Sequence, residues 1–107
     1  VKVLFDQNVP MNLRRYLIRH TVRTAYQMRW DRAVNRELLK VAEDAGFDVF
    51  VTGNQNLSYQ QNLVSRRNAI VELTRNHWPA VLQHLNEVVA AVNASSPGSY
   101  IRVICGR

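Results

Sequence analysis

Short apolar runs rich in β-branched residues recur along this chain, separated by segments whose apolar residues fall at helical spacing, and that alternation constrains the fold more than any other feature. The runs are residues 1–5, 21–26, 48–52, 69–74 and 100–104. The first, Val-Lys-Val-Leu-Phe, is nearly continuous in apolar character, as expected of a strand covered on both faces of a parallel sheet. Between the runs, Pro10 is placed to open a helix in which Met11, Leu13, Leu17 and Ile18 alternate with Arg14, Arg15 and Arg19. Residues 27–32 read as an irregular connection holding Trp30. Strong helix formers with apolar residues at 38, 39, 41, 42 and 45 predict a helix from Asn35 that Gly46 terminates. A further helical stretch is expected over 58–64, and a long one from Trp78 and Pro79 to about Asn93. Strand–helix alternation with right-handed crossovers gives a small three-layer α/β sandwich with a mostly parallel central sheet. The 107 residues suit one domain spanning 1–107, and no repeat or Gly/Ser linker divides them.

Charge narrows the partners. Fourteen Lys and Arg against eight Asp and Glu give +6, and only Lys2 and Lys40 are lysines, so the excess is arginine. Arginine's planar fork suits phosphate and carboxylate, which favours nucleic acid, an anionic surface or an acidic partner. A soluble surface with no polyanion partner is the plainer alternative, since net charges of about 2–8 are ordinary for small domains. The lone cysteine, Cys105, excludes a disulfide scaffold and a cysteine-rich zinc site, fits a reducing compartment, and is most simply a small buried hydrophobe. No apolar run approaches the roughly 18 residues of a membrane span, and no basic n-region precedes an apolar stretch, so a cytoplasmic protein is expected.

In open α/β sheets, ligands bind outside the carboxyl ends of the strands, so the polar residues that directly follow apolar runs are the candidates. Asp6 and Asn8 follow the first run; Thr52, Asn54 and Asn56 end or follow the third; Glu37 lies in the first turn of the 35–46 helix, beside Asn35. A cluster of carboxylate and amide oxygens, with no cysteine and no histidines at ligand spacing, suits a hard cation such as Mg²⁺ or Mn²⁺ rather than zinc. Each residue also has a plain structural role open to it. Asn8 and Asn35 are natural helix caps, Glu37 is favoured by the helix dipole, and 53–56 has ordinary loop composition. His20, His77 and His84 lie apart, and neither a nucleophile elbow nor a phosphate-cradling glycine pattern is present. Trp30, Trp78 and Tyr59 are able to stack on bases, but aromatic residues flanking helices more often pack.

Three motifs in order carry a resemblance. Residues 3–10 (Val-Leu-Phe-Asp-Gln-Asn-Val-Pro), 35–39 (Asn-Arg-Glu-Leu-Leu) and 50–57 (Phe-Val-Thr-Gly-Asn-Gln-Asn-Leu) together resemble the PIN-like domain family related to VapC-type toxins, and 59–63 is similar to a branch of it. The motifs span about residues 1–75, and the order of elements extends the likeness to the end. The resemblance implies a PIN-like fold, a Mg²⁺- or Mn²⁺-dependent ribonuclease site and, in many cases, the toxin half of a type II toxin–antitoxin pair that dimerises. Asp6 matches the first-strand metal-ligand aspartate, Glu37 the helix-borne acid, and Asn54 the position where the family usually has a second strand-end aspartate. Here an amide replaces a carboxylate, and Asn56 is an amide too, so fewer negative charges are at hand to hold a cation. Under this reading Asp6, Glu37 and Asn54 bind the ion, with Asn8, Asn35, Thr52 and Asn56 behind them. Arg14, Arg15, Arg19, Arg29 and Arg32 are plausible RNA contacts, a solvated helix face being the alternative. The competing functional expectation is a catalytically silent domain that binds RNA or a protein partner.

Overall fold

The computed structural model describes residues 1–33, 35–54 and 67–106, and the side chains of all of these but 35 and 36. Five strands, β1 (Lys2–Phe5), β2 (Thr21–Thr24), β3 (Val49–Thr52), β4 (Ala69–Leu73) and β5 (Tyr100–Val103), form one sheet of order β2-β1-β3-β4-β5, parallel at every pairing. Burial follows from that placement. Every residue of the interior strands β3 and β4 is buried, in keeping with their nearly continuous apolar runs, whereas β2 and β5, on the edges, keep exposed or half-buried positions.

Alternation along each strand sends side chains to two cores. On one face Val3, Phe5, Val49, Val51, Val71 and Val103 meet Leu13 and Leu17, Val81 of α2 (Trp78–Gln83), and Val88 and Val92 of α3 (Leu85–Ala94). On the other, Leu4, Phe50 and Ile70 meet Leu38, Leu39 and Ala42 of α1 (Asn35–Asp44), together with Phe47. This is the expected α/β sandwich. Among the described residues no helix is long and apolar enough to cross a membrane.

Three local expectations are revised. Residues after Pro10 form a 3₁₀ helix, Met11–Tyr16, which ends at Leu17; Ile18 lies beyond it and is 86% exposed rather than inward. The long helix expected from Trp78 is two helices broken at His84, whose φ of −117° and ψ of 24° leave the helical region. Crossover hand is also not uniform. The β2-to-β3 and β4-to-β5 connections cross the sheet in the same direction, yet α1 covers one face and α2 and α3 the other, so the two connections have opposite hands. The stretch expected as a helix over 58–64, and Asn56 and Tyr59 with it, lie outside the described residues.

Candidate functional site

The chain leaves β1 toward one edge of the sheet, to β2, and then returns across β1 to β3, so the strand order reverses between β1 and β3. Connections that depart to opposite sides at such a point open a crevice at the strands' carboxyl ends. Asp6 and Thr52 stand there.

The backbone N–H of Asp6 donates to the Val51 carbonyl at 2.9 Å, extending the β1–β3 ladder by one step and setting Asp6 opposite Thr52. Both residues then fall on the face of Leu4 and Phe50 by alternation. Thr52, fully buried, donates its hydroxyl to Asp6 Oδ2 at 2.8 Å and accepts the Asn54 N–H at 3.0 Å, while the Gln7 N–H donates to Asp6 Oδ1 at 2.8 Å. Each carboxylate oxygen is therefore oriented by one donor and retains acceptor capacity, and the group is only half-buried. Asn8 makes the second tie. Its Oδ1 accepts the Gly53 N–H at 3.0 Å, whereas the 3₁₀ helix has no side-chain cap, so Asn8 joins the two strand ends instead of capping. Gly53 sits close to its neighbours: a Cβ there would lie 3.3 Å from Asn76 Cβ and 3.4 Å from Asn8 Cγ, so one of them would have to shift slightly.

The structure thus brings together Asp6, Asn8, Thr52 and Asn54, which come from motifs more than 40 residues apart in sequence. Glu37 reaches the same end by topology. The helix α1 returns antiparallel to the strands, so its first turn lies at their carboxyl ends; Leu38 and Leu39 anchor it on the sheet and Glu37 is exposed. The connection from β2 is fastened nearby, because the Gln7 side chain donates to the Asp31 carbonyl. Arg29 in that connection holds a left-handed φ of 63°, and Trp30 packs edge-on against Phe47 at 5.9 Å, a core role. Arg14, Arg15, Arg19, Arg29 and Arg32 are all exposed. Asn35 opens α1, with its side chain outside the described set.

Among the described residues no three of His, Cys, Asp and Glu form a group able to hold a metal ion. The oxygen donors that do gather are the Asp6 carboxylate, the Thr52 hydroxyl and the Asn8 amide, with the Asn54 backbone N–H tied to Thr52, a set chemically suited to Mg²⁺ or Mn²⁺ but poor in charge.

One residue escaped the sequence reading. Glu72 in β4 is fully buried on the same face as Thr52, its register partner, and takes Arg102 of β5 through Nε at 2.8 Å and a terminal guanidinium nitrogen at 3.3 Å, along with the Tyr100 hydroxyl. Asp6, Thr52, Glu72 and Arg102 form a row across four adjacent strands. The signal was a lone carboxylate inside an apolar run, since Glu is almost never fully buried unless paired.

No protein-family model, curated protein or solved structure matches this chain. The class that fold and site define is a five-stranded parallel α/β sandwich with a hydrogen-bonded carboxylate at its topological switch point.

Proposed function

We propose that this chain is a PIN-like, Mg²⁺- or Mn²⁺-dependent ribonuclease, acting as a cytoplasmic toxin that an antitoxin protein holds in check. The observation that carries the reading is the 2.8 Å hydrogen bond from Thr52 to Asp6, which fixes a half-exposed carboxylate in the crevice between β1 and β3. Asp6 and Glu37 would hold the ion, with the Asn54 side chain as a neutral oxygen donor. The ion supplies Lewis-acid stabilisation of phosphate charge and a more acidic water. Thr52 and the Gln7 N–H keep the Asp6 carboxylate aimed, so little reorganisation is needed when a phosphodiester arrives. Glu37, in the first turn of α1, would orient the attacking water, and the exposed arginines would draw in the RNA backbone. A homodimer is part of the proposal only through the resemblance to PIN-like toxins.

The test is degradation of single-stranded RNA by purified protein with Mn²⁺. Cleavage is expected, lost with EDTA and in Asp6→Ala; cleavage that survives in Asp6→Ala overturns the assigned site. A second reading, a catalytically silent domain that binds RNA or a protein, is favoured by Asn54 standing where an acid is expected. If the wild type is inert, gain of cleavage in Asn54→Asp marks a disabled nuclease. Continued inertness with tight RNA or partner binding marks the silent domain.

A further inference from the structure

Beyond the Asp6 site, the surface carries a stacked aromatic pair whose exposed tyrosine directly follows two exposed arginines in the chain. Tyr16, the last residue of the 3₁₀ helix, stacks on Trp78, the first of α2, with ring centroids 6.2 Å apart and planes inclined by 30°. Residues three apart in a 3₁₀ helix eclipse one another, so Tyr16 stands in line with the fully buried Leu13 and is drawn against α2. Trp78 itself packs on the core beneath. The result is a ring rooted in the interior that carries a second ring, and the Tyr16 side remains 43% exposed. Arg14 and Arg15 precede it, both exposed, and no ion pair among the described residues engages either.

Two elements lead from this pair toward the candidate site. The 3₁₀ helix starts three residues after Asn8, and the loop from β4 to α2 passes Asn76, which lies against Gly53. Trp78 packs on the core of the α2–α3 face whereas Asp6 falls on the α1 face, so a chain of phosphates reaching both would cross the carboxyl ends of β1 and β3, where Asn8 meets Gly53.

We infer that Tyr16 on Trp78 is a stacking platform for a base of single-stranded RNA, with Arg14 and Arg15 contacting the flanking phosphates; the choice of RNA rests on the ribonuclease reading, which this deepens. A ring already held in place loses little freedom on stacking, and every base offers a π-face. A duplex hides those faces, so single strands are the substrate class. Exposed arginines preceding Tyr16, in no ion pair among the described residues, favour a polyanion with planar groups over an apolar protein segment.

The experiment measures binding of a labelled oligouridine, its abasic counterpart and a duplex of equal length in EDTA, which keeps binding separate from cleavage, over a salt series. Tyr16→Leu, which keeps apolar contact with Trp78, should weaken oligouridine binding about 5- to 150-fold with an unchanged salt slope, and leave the abasic oligomer unaffected. Tyr16→Phe should bind as wild type. Joint Arg14→Gln and Arg15→Gln replacement should flatten the slope by roughly 1.4, about 0.7 for each phosphate of a single strand that is no longer neutralised. Wild type that does not bind oligouridine, Tyr16→Leu that binds it undiminished, equal loss for the abasic oligomer in a Tyr16→Leu protein whose circular dichroism matches wild type, or weakened binding in Tyr16→Phe overturns the inference. Binding that depends on Tyr16 with no cleavage under Mn²⁺ upholds the platform and overturns the nuclease reading.

Discussion

Replacing Thr52 with valine removes one hydroxyl from a fully buried position while keeping the side chain's shape. That hydroxyl donates to a carboxylate and accepts a backbone N–H, at 2.8 and 3.0 Å. A hydrogen bond to a charged group contributes about 1.5–3 kcal/mol and a neutral one about 0.5–1.5 kcal/mol. The added methyl group recovers about 0.8 kcal/mol by burial. Because Asp6 is half-exposed, water partly replaces the lost donor, and a net cost of about 2 kcal/mol is expected for Thr52→Val. For a domain of this size that is a fall of roughly 8–16 °C in Tm. Urea unfolding followed by circular dichroism reads it directly, with the m-value unchanged. Thr52→Ser keeps both bonds and should lose only about 1 kcal/mol, from the missing methyl group. Asp6→Ala should remove most of the difference between threonine and valine, because the stronger partner is then gone. A Thr52→Val protein within about 0.5 kcal/mol of wild type, well below the hydrogen-bond range, would refute the hydroxyl's role as the strut beneath Asp6.

Three other perturbations probe the same framework. Arg102→Met strands the buried Glu72 carboxylate with Tyr100, and should cost about 2–4 kcal/mol in urea unfolding; pairing it with Glu72→Leu should restore most of that, because an apolar pair fills a buried ion-pair site with little penalty. Gly53→Ala brings a methyl group within 3.3 Å of Asn76 Cβ and 3.4 Å of Asn8 Cγ, which the exposed Asn76 relieves by a small shift, so a change within about 1 kcal/mol is expected in the same assay. The side-chain hydrogen bond from Arg67 holds the Glu43 carboxyl below its ordinary value, against desolvation that raises it. Glu43 therefore adds stability above the usual carboxylate range, and that contribution is lost as pH falls through its folded value. Arg67→Ala should cost under about 1 kcal/mol at pH 7, as the arginine is largely exposed, and the deficit should vanish in acid melts.

How much of this was legible follows from what sequence patterns can carry. The parallel sandwich was, because β1, β3 and β4 are covered on both faces and their nearly continuous apolar runs say so. The break at His84 was not: Val81 and Leu85 continue the helical spacing across it, and periodicity does not register a change in backbone angles. Ile18 was assigned inward on an α-helical period, and the tighter 3₁₀ turn that ends at Leu17 leaves it outside. Asp6 and Asn54 could be picked out as candidates because polar residues at strand ends are where ligands bind in such sheets. The roles of Asn8 and Thr52 as cross-strand ties were hidden, since they depend on which strands are neighbours, and β1 and β3 are joined only through β2. Glu72 was visible as a charged residue in an apolar run, but its partners Tyr100 and Arg102 lie 28 and 30 residues further on.

The central claim is that the Asp6 carboxylate, braced by Thr52 at the mouth between β1 and β3, is where a divalent cation sits. Electron paramagnetic resonance of Mn²⁺ titrated into wild type and Asp6→Asn protein addresses it most directly, because it needs no RNA and no turnover. A saturable Mn²⁺ site in the wild type, weakened at least tenfold in Asp6→Asn while the fold is kept, is the outcome expected for loss of an anionic ligand. Equal Mn²⁺ affinity in the two proteins, or no saturable site in the wild type, would contradict it.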